Sequence, residues 1–231
     1  MHITNHLPFV VDVRSSKDMQ GYPCATLMLK ATYNLPAARQ AVSVAQEQVP
    51  WFHADEPLDE GGTGAPAHEA DLPYEKPNAE FLVVGQAHAP QGRPTIRFTF
   101  GVTVGSTIKR LNAVGARTWR KGLIMGGASD IEPTLCVPAS YAYGFGGIDP
   151  TSPQDDRHWC ETNFAGRGFC EHPDAHAADG MRLPQLEPLG QTFRNPCKRF
   201  VSLGLGTVGR AWAPRKDWAG TYDQAWQDTR W

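Results

Sequence analysis

Ile96, Phe98, Phe100, Val102 and Val104 stand at strict i, i+2 spacing, the period with which an extended chain places five apolar side chains on one face. Gly105-Ser106 follows, and residues 107–114 resume an extended pattern. A two-residue link containing Gly closes a β-hairpin, so 95–104 and 107–114 are expected to pair antiparallel. Residues 9–13 and 25–35 carry shorter apolar and β-branched runs around the Gln20-Gly21-Tyr22-Pro23 turn signal and read as an opening hairpin. Residues 81–84 add one more short run.

The remaining chain is punctuated. Residues 52–78 are rich in Gly, Pro, Asp, Glu and His, a composition that cannot offset the entropy of ordering by burial, and are expected to form an exposed, mobile loop. From Gly115 onward Gly and Pro recur every few residues and apolar residues come singly, which predicts long loops laid over a sheet. The expected fold is mostly β, an antiparallel sandwich or curved sheet with long ordered loops and a few short helices. It reads as one domain over residues 1–231, strand-rich through 1–140 and loop-rich through 141–231.

Charge narrows the classes of partner. Lys plus Arg number 22 and Asp plus Glu 24, a formal net charge of −2 without a long run of either sign. Nucleic acid and anionic membrane surfaces both call for a concentrated basic footprint, so neither is an expected partner. No apolar stretch approaches the eighteen residues of a membrane span, and Met1-His2-Ile3-Thr4-Asn5 lacks the pattern of a secretory leader, so a cytoplasmic protein is expected. Five cysteines, an odd number without a dense framework, agree with a reducing compartment. Cys24 and Cys136 lie in or beside apolar runs and are expected to be small buried hydrophobes.

Three stretches have the residue types of a site. The C-terminal segment holds Arg210, Trp212, Arg215, Trp218, Tyr222 and Trp226, large aromatics interleaved with Arg, Pro and Gly as at the centres of protein interfaces. These six are the candidate partner-binding residues, by an Arg–Trp ladder that fixes the loop or by closing the core, with Thr221 as a helix N-cap. His158, Cys160, Cys170, His172 and His176 form a cluster with metal-ligand character, but no two pairs match a zinc-ligand spacing, and no metal or cofactor is assigned. Tyr143-Gly144-Phe145-Gly146-Gly147 lacks the Lys and helix of a phosphate-binding loop and reads as a turn that lets backbone pass close to a neighbour. There is no nucleophile elbow and no His-Glu-x-x-His, and Asp149 and Asp155-Asp156, beside Pro153 and Gln154, read as solvated loop residues rather than paired catalytic acids, so a non-catalytic protein is expected. The alternatives are a metal-dependent hydrolase using residues 158–176 and a structural spike component.

Several motifs in order point to a family. They are Leu7-Pro8-Phe9; Leu29-Lys30-Ala31-Thr32-Tyr33; Asp71-Leu72-Pro73-Tyr74-Glu75-Lys76-Pro77; Val83 through Gly92; Val104-Gly105 through Trp119; Tyr141 through Gly147; Asn163 through Phe169; Leu183-Pro184-Gln185-Leu186-Glu187-Pro188; and Gly209 through Trp226. In this the chain resembles the DUF2169 family. It departs at Gly144, where Ala is commoner, at Leu203-Gly204-Leu205-Gly206, and in stopping at Trp231 where relatives usually continue. The resemblance implies a non-catalytic adaptor or chaperone that binds a toxic effector of a bacterial type VI secretion system and helps load it onto the spike. The implied partners are the effector and the spike protein.

Overall fold

The computed structural model describes residues 4–17, 21–36, 40–57, 66–71, 79–123, 126–148, 159–168, 171–172, 174–209, 212 and 215. The fold is mostly antiparallel β, with its strands divided among several small sheets. Strands β1 (Val10–Lys17) and β2 (Pro23–Lys30) form the opening hairpin, paired from Val10 with Lys30 to Lys17 with Pro23. The expected run to residue 35 breaks at Ala31-Thr32, where the Gln48 amide replaces a strand partner by accepting from Thr32 N and donating to Thr32 O. Beyond the break, β3 (Tyr33–Asn34) pairs with β4 (Ser43–Val44).

The expected loop at 52–78 is partly ordered, which corrects that reading. Within it β5 (Glu56–Pro57) pairs with β6 (Pro66–His68), and Phe52 stacks on His68 at 4.9 Å. Carboxylates supply the order that apolar burial could not: Asp71 accepts from Phe52 N and Asp55 from Ala70 N, both at 2.8 Å. Residues 58–65 and 72–78 lie outside the described residues. At 81–84 the expected strand makes no ladder; the strand starts later, as β7 (Gln86–His88). Cys24 is exposed and Cys136 only half-buried, so neither is the buried hydrophobe expected.

The long hairpin follows the alternation. Strand β8 (Arg97–Val104) turns at Gly105-Ser106 into β9 (Thr107–Val114), with Val104 opposite Thr107. Gly105 has φ +59°, the left-handed conformation a tight hairpin turn needs. Two short strands follow, β10 (Trp119–Arg120) and β11 (Gly127–Ala128), which pair with each other. Next, β12 (Cys136–Pro138) pairs with β7, and β13 (Leu186–Glu187) adds to the outer edge of β9. Helical elements are short, including 3-10 turns at Pro90–Gly92 and Tyr141–Tyr143.

Much of the core comes from the loop-rich part. Phe98, Ala113, Val137 and Leu186 close one cluster on the long hairpin, whereas Trp119, Phe145, Met181, Leu183 and Phe193 close another drawn largely from loops. Phe145, Phe193 and Phe200 pack as an aromatic trio with centroids 5.6 to 6.3 Å apart. Burying three such rings offsets the entropy of ordering the loops that carry them. The Tyr141–Gly147 turn does what its glycines predict: Gly146 has φ +133°, and a Cβ there would overlap the Asn163 carbonyl. Asn163 locks the approach by donating from Nδ2 to the Tyr141 and Phe145 carbonyls, each at 2.9 Å.

A fully buried carboxylate joins the edge strand to the hairpin. Glu187 is bound by Arg117, lies 2.7 Å from Arg97 Nη2, and accepts from Phe193 N at 2.9 Å. Three partners around one buried carboxylate make the arrangement tolerable; removing the carboxylate would strand Arg117 without water.

Candidate functional site

Among the described residues, two apolar surfaces lie open to solvent. The first follows from the register of β8 and β9: Val102 pairs with Lys109 and Val104 with Thr107, so these four side chains share one face. Farther from the turn that face is covered, with Phe98 and Leu111 buried. Near the turn the cover thins, and residues 79–83, 204–206 and Val208 border a groove of about 380 Å³. That volume lies within the range of small-molecule sites, roughly 300–1,000 Å³. Phe81 lines the groove yet is 68% exposed, so the apolar wall extends to its mouth.

Polar chemistry enters the groove at two places. Lys109 occupies an inward position of β9, in phase with Leu111 and Ala113, and its Nζ donates to Tyr141 Oη at 3.1 Å. The same Nζ lies 5.2 Å from the Tyr141 ring centroid. Loss of hydration on burial holds the Lys109 pKa below its ordinary 10.5 and pushes that of Tyr141 up to about 12. Tyr141 is set in place by the 3-10 turn, whose Ser140 cap accepts from Ala142 N, and by Trp212, edge-on at 5.0 Å.

Arg215 stands elsewhere on the groove wall. Glu69 and Glu80 grip its guanidinium, with Nη2 at 2.8 Å from Glu69 Oε2 and 2.9 Å from Glu80 Oε2, and its Nη1 donates to Val208 O at 2.6 Å. One buried cation thereby ties together residues more than a hundred positions apart. Two-pronged geometry of this kind is what Arg provides and Lys cannot.

The second surface is the outer face of the β1–β2 hairpin. Antiparallel pairing puts Val11 with Leu29 and Val13 with Leu27 on one face, and Arg14 with Thr26 and Val10 with Lys30 on the other. Lys30 and Arg14 lie on the face turned toward the body. Lys30 Nζ donates to Asp71 at 2.6 Å and to Pro50 O at 2.8 Å and lies 4.1 Å from the Phe52 ring centroid, while Arg14 Nη2 lies 3.3 Å from His53 Nδ1. Leu27 and Leu29 are left 70% and 55% exposed on the opposite face. The hairpin is packed inside-out relative to an ordinary half-buried sheet.

Of the six expected partner-binding residues, Arg210, Trp218, Tyr222 and Trp226 lie outside the described residues, as does the cap at Thr221. Trp212 and Arg215 are both buried, at 4% exposure. Trp212 Nε1 donates to Thr162 O at 2.7 Å, and the carboxylates hold Arg215, so these two tie the segment to the body from inside. Of the expected metal cluster, His158 and Cys170 lie outside the described residues. His172 Nδ1 accepts from Asp174 N at 3.0 Å, and Cys160 Sγ lies 3.3 Å from Thr162 Oγ1. Among the described residues no three His, Cys, Asp or Glu side chains are placed to hold a metal ion, and no helix is long and apolar enough to cross a membrane.

Residue-by-residue reading missed the Lys109–Tyr141 pair and the Arg215–Glu69–Glu80 tie. A signal for the first exists: Lys109 falls in phase with Leu111 and Ala113, where alternation calls for an apolar residue.

Fold and surfaces together define a mostly antiparallel β protein with a folded body, an inverted hairpin and an apolar groove. The chain belongs to DUF2169, a family described as an uncharacterized protein conserved in bacteria, whose model matches residues 20–231. No curated protein and no solved structure matches it.

Proposed function

We propose that the protein is a non-catalytic adaptor that binds an effector of a type VI secretion system and helps load it onto the spike. The observation that carries this reading is the outward apolar face of β1–β2, where Val11, Val13, Leu27 and Leu29 share a side and the two leucines are mostly exposed. Apolar surface left in water costs about 25 cal/mol per Å², and contiguous patches of it are typical of protein-binding sites. A hairpin held to the body by its charged face presents that surface to a partner without unfolding. The secretion role itself rests on the family resemblance.

Co-expression with the effector and spike genes of the same locus tests the reading. Capture on a tagged chain is expected to bring down the effector in fixed ratio, with the effector insoluble when made alone. The double variant Leu27→Asp, Leu29→Asp is expected to stay folded and lose that complex. A wild-type chain that purifies without either product, while the effector is soluble by itself, would sink the adaptor reading.

A further inference from the structure

We propose that the open edge of β8 takes an extended segment of a partner protein as a fourth strand, with every second side chain of that segment apolar and entering the groove beside the β8–β9 turn. The sheet runs β13–β9–β8, so β8 ends it. Along β8 the backbone groups of Phe98, Phe100, Val102 and Val104 face β9, as the two-residue link and the bond from Gly115 N to Ile96 O require. Those of Thr99, Gly101 and Thr103 face the other way. All three residues are exposed, and among the described residues their N–H and C=O groups have no hydrogen-bond partner.

A ladder on this edge is already begun. Thr95 and Thr134 exchange backbone bonds at 3.1 and 3.0 Å in the antiparallel sense, and the ladder then stops, because Glu132 N turns to Ala116 O instead. Beyond that point the outward residues of β8 repeat one donor and one acceptor about every 6.8 Å, the pitch of two extended residues. Only another extended backbone matches that repeat, which fixes the occupant as a strand. Natural edge strands are ordinarily guarded by charge or proline. Residues 98–106 hold neither.

The two faces of β8 specify the side chains of the incoming strand. Residues opposite Phe100, Val102 and Val104 share their face, on which the groove of about 380 Å³ opens to solvent at Phe81. Apolar side chains there are covered, whereas those opposite Thr99, Gly101 and Thr103 stay in water and suit Thr or Ser. A second copy of the chain fits less well. Two β8 strands related by a two-fold axis at Gly101 would set Phe100 and Phe98 of the copy opposite Val102 and Val104, and both rings already pack within the copy's own core. The proposal is independent of the adaptor reading, because it concerns a different surface from β1–β2 and holds for any partner that offers such a segment.

Isothermal titration of the full chain with the end-capped peptide Lys-Thr-Val-Thr-Val-Thr-Lys tests it. Saturable binding at one site is expected. In antiparallel pairing the Thr amides of the peptide bond β8 and its Val amides point away. N-methylation of the middle Thr is therefore expected to weaken binding about tenfold or more, and N-methylation of a Val to leave it nearly unchanged. Replacing both Val of the peptide by Ser is also expected to weaken it about tenfold or more, through loss of apolar burial. Thr103→Pro removes an outward N–H without touching a bond to β9, and is expected to abolish binding while thermal melting shows the fold kept. If that variant does not fold, the methylated peptides decide alone. Absence of saturable binding overturns the proposal, as does binding indifferent to methylation at Thr. A dimer of the unliganded chain in sedimentation that Thr103→Pro dissociates would overturn it too, and assign the edge to a second copy.

Discussion

The hairpins β1–β2 and β8–β9 are built alike and packed in opposite senses. Each has two eight-residue strands in register, and each sets aliphatic residues on one face, Val11, Val13, Leu27 and Leu29 in the first and Val102, Val104, Leu111 and Ala113 in the second. In β8–β9 that face turns inward, and Phe98, Leu111 and Ala113 vanish into the core. In β1–β2 it turns outward, because Lys30 and Arg14 on the other face find Asp71, Pro50 and His53 on the body. Alternation decides which residues share a face. Partners elsewhere in the chain decide which face is buried.

If the long hairpin is the foundation of the body, its deepest tie should matter most. Glu187→Ala removes the carboxylate from beneath Arg117 and Arg97 and is expected to cost about 3–5 kcal/mol in urea unfolding. Phe98→Ala on the inward face is expected to cost a similar amount or slightly less, about 3–4 kcal/mol. A much smaller loss for both would mean that β8–β9 is no more essential than β1–β2.

Alkaline pH probes the covered edge of the same region. Tyr141 is held neutral to about pH 12 in the fold against an ordinary 10.0. Its raised value means the unfolded chain loses the proton first, so the stability it contributes is complete below pH 10 and falls as pH rises through about 12. Two units correspond to about 3 kcal/mol at most. Lys109 works in the other sense: its lowered pKa makes the charged form costly in the fold, a cost relieved as pH climbs toward 10.5. Unfolding followed from pH 9 to pH 12 should therefore show a late loss of stability that Tyr141→Phe blunts.

Lys30→Met tests the attachment of the inverted hairpin. Loss of the bond to Asp71, which is half-shielded from water, is expected to cost about 1–2 kcal/mol. Amide exchange should quicken in β1 and β2 while β8 and β9 hold their protection. Equal quickening in both hairpins would show that the two regions unfold as one unit. Smallest of all, Leu27→Ser on the exposed face is expected to change stability by no more than about 0.5 kcal/mol, while weakening capture of the partner.

Strand type and pairing were largely legible in the chain. The spacing from Ile96 to Val104, the Gly105-Ser106 link and the turn signal at residues 20–23 are local, and local geometry sets hairpin pairing. The placement of 52–57 against 66–71 was not, because it depends on carboxylates of Asp55 and Asp71 reaching backbone amides 15 and 19 residues away. The aromatic core of the loop-rich part was hidden for a similar reason. Phe145, Phe193 and Phe200 are single apolar residues in Gly- and Pro-rich sequence, and no period connects them.

The sites divide in the same way. Trp212 and Arg215 have the composition of contact residues, yet tertiary partners draw both inside: Thr162 and Tyr141 hold one, and Glu69 and Glu80 hold the other. Lys109 and Tyr141 are ordinary residues until the β9 register and the 3-10 turn bring them to 3.1 Å. By itself, then, the order of residues determined a mostly β chain, the pairing of its two long hairpins and the sites of its tight glycine turns, since each follows from interactions within a few residues. Which hairpin face meets water, where a groove is left, and which charged groups are buried were decided only in the tertiary structure, because those outcomes depend on counter-charges and walls supplied from distant parts of the chain.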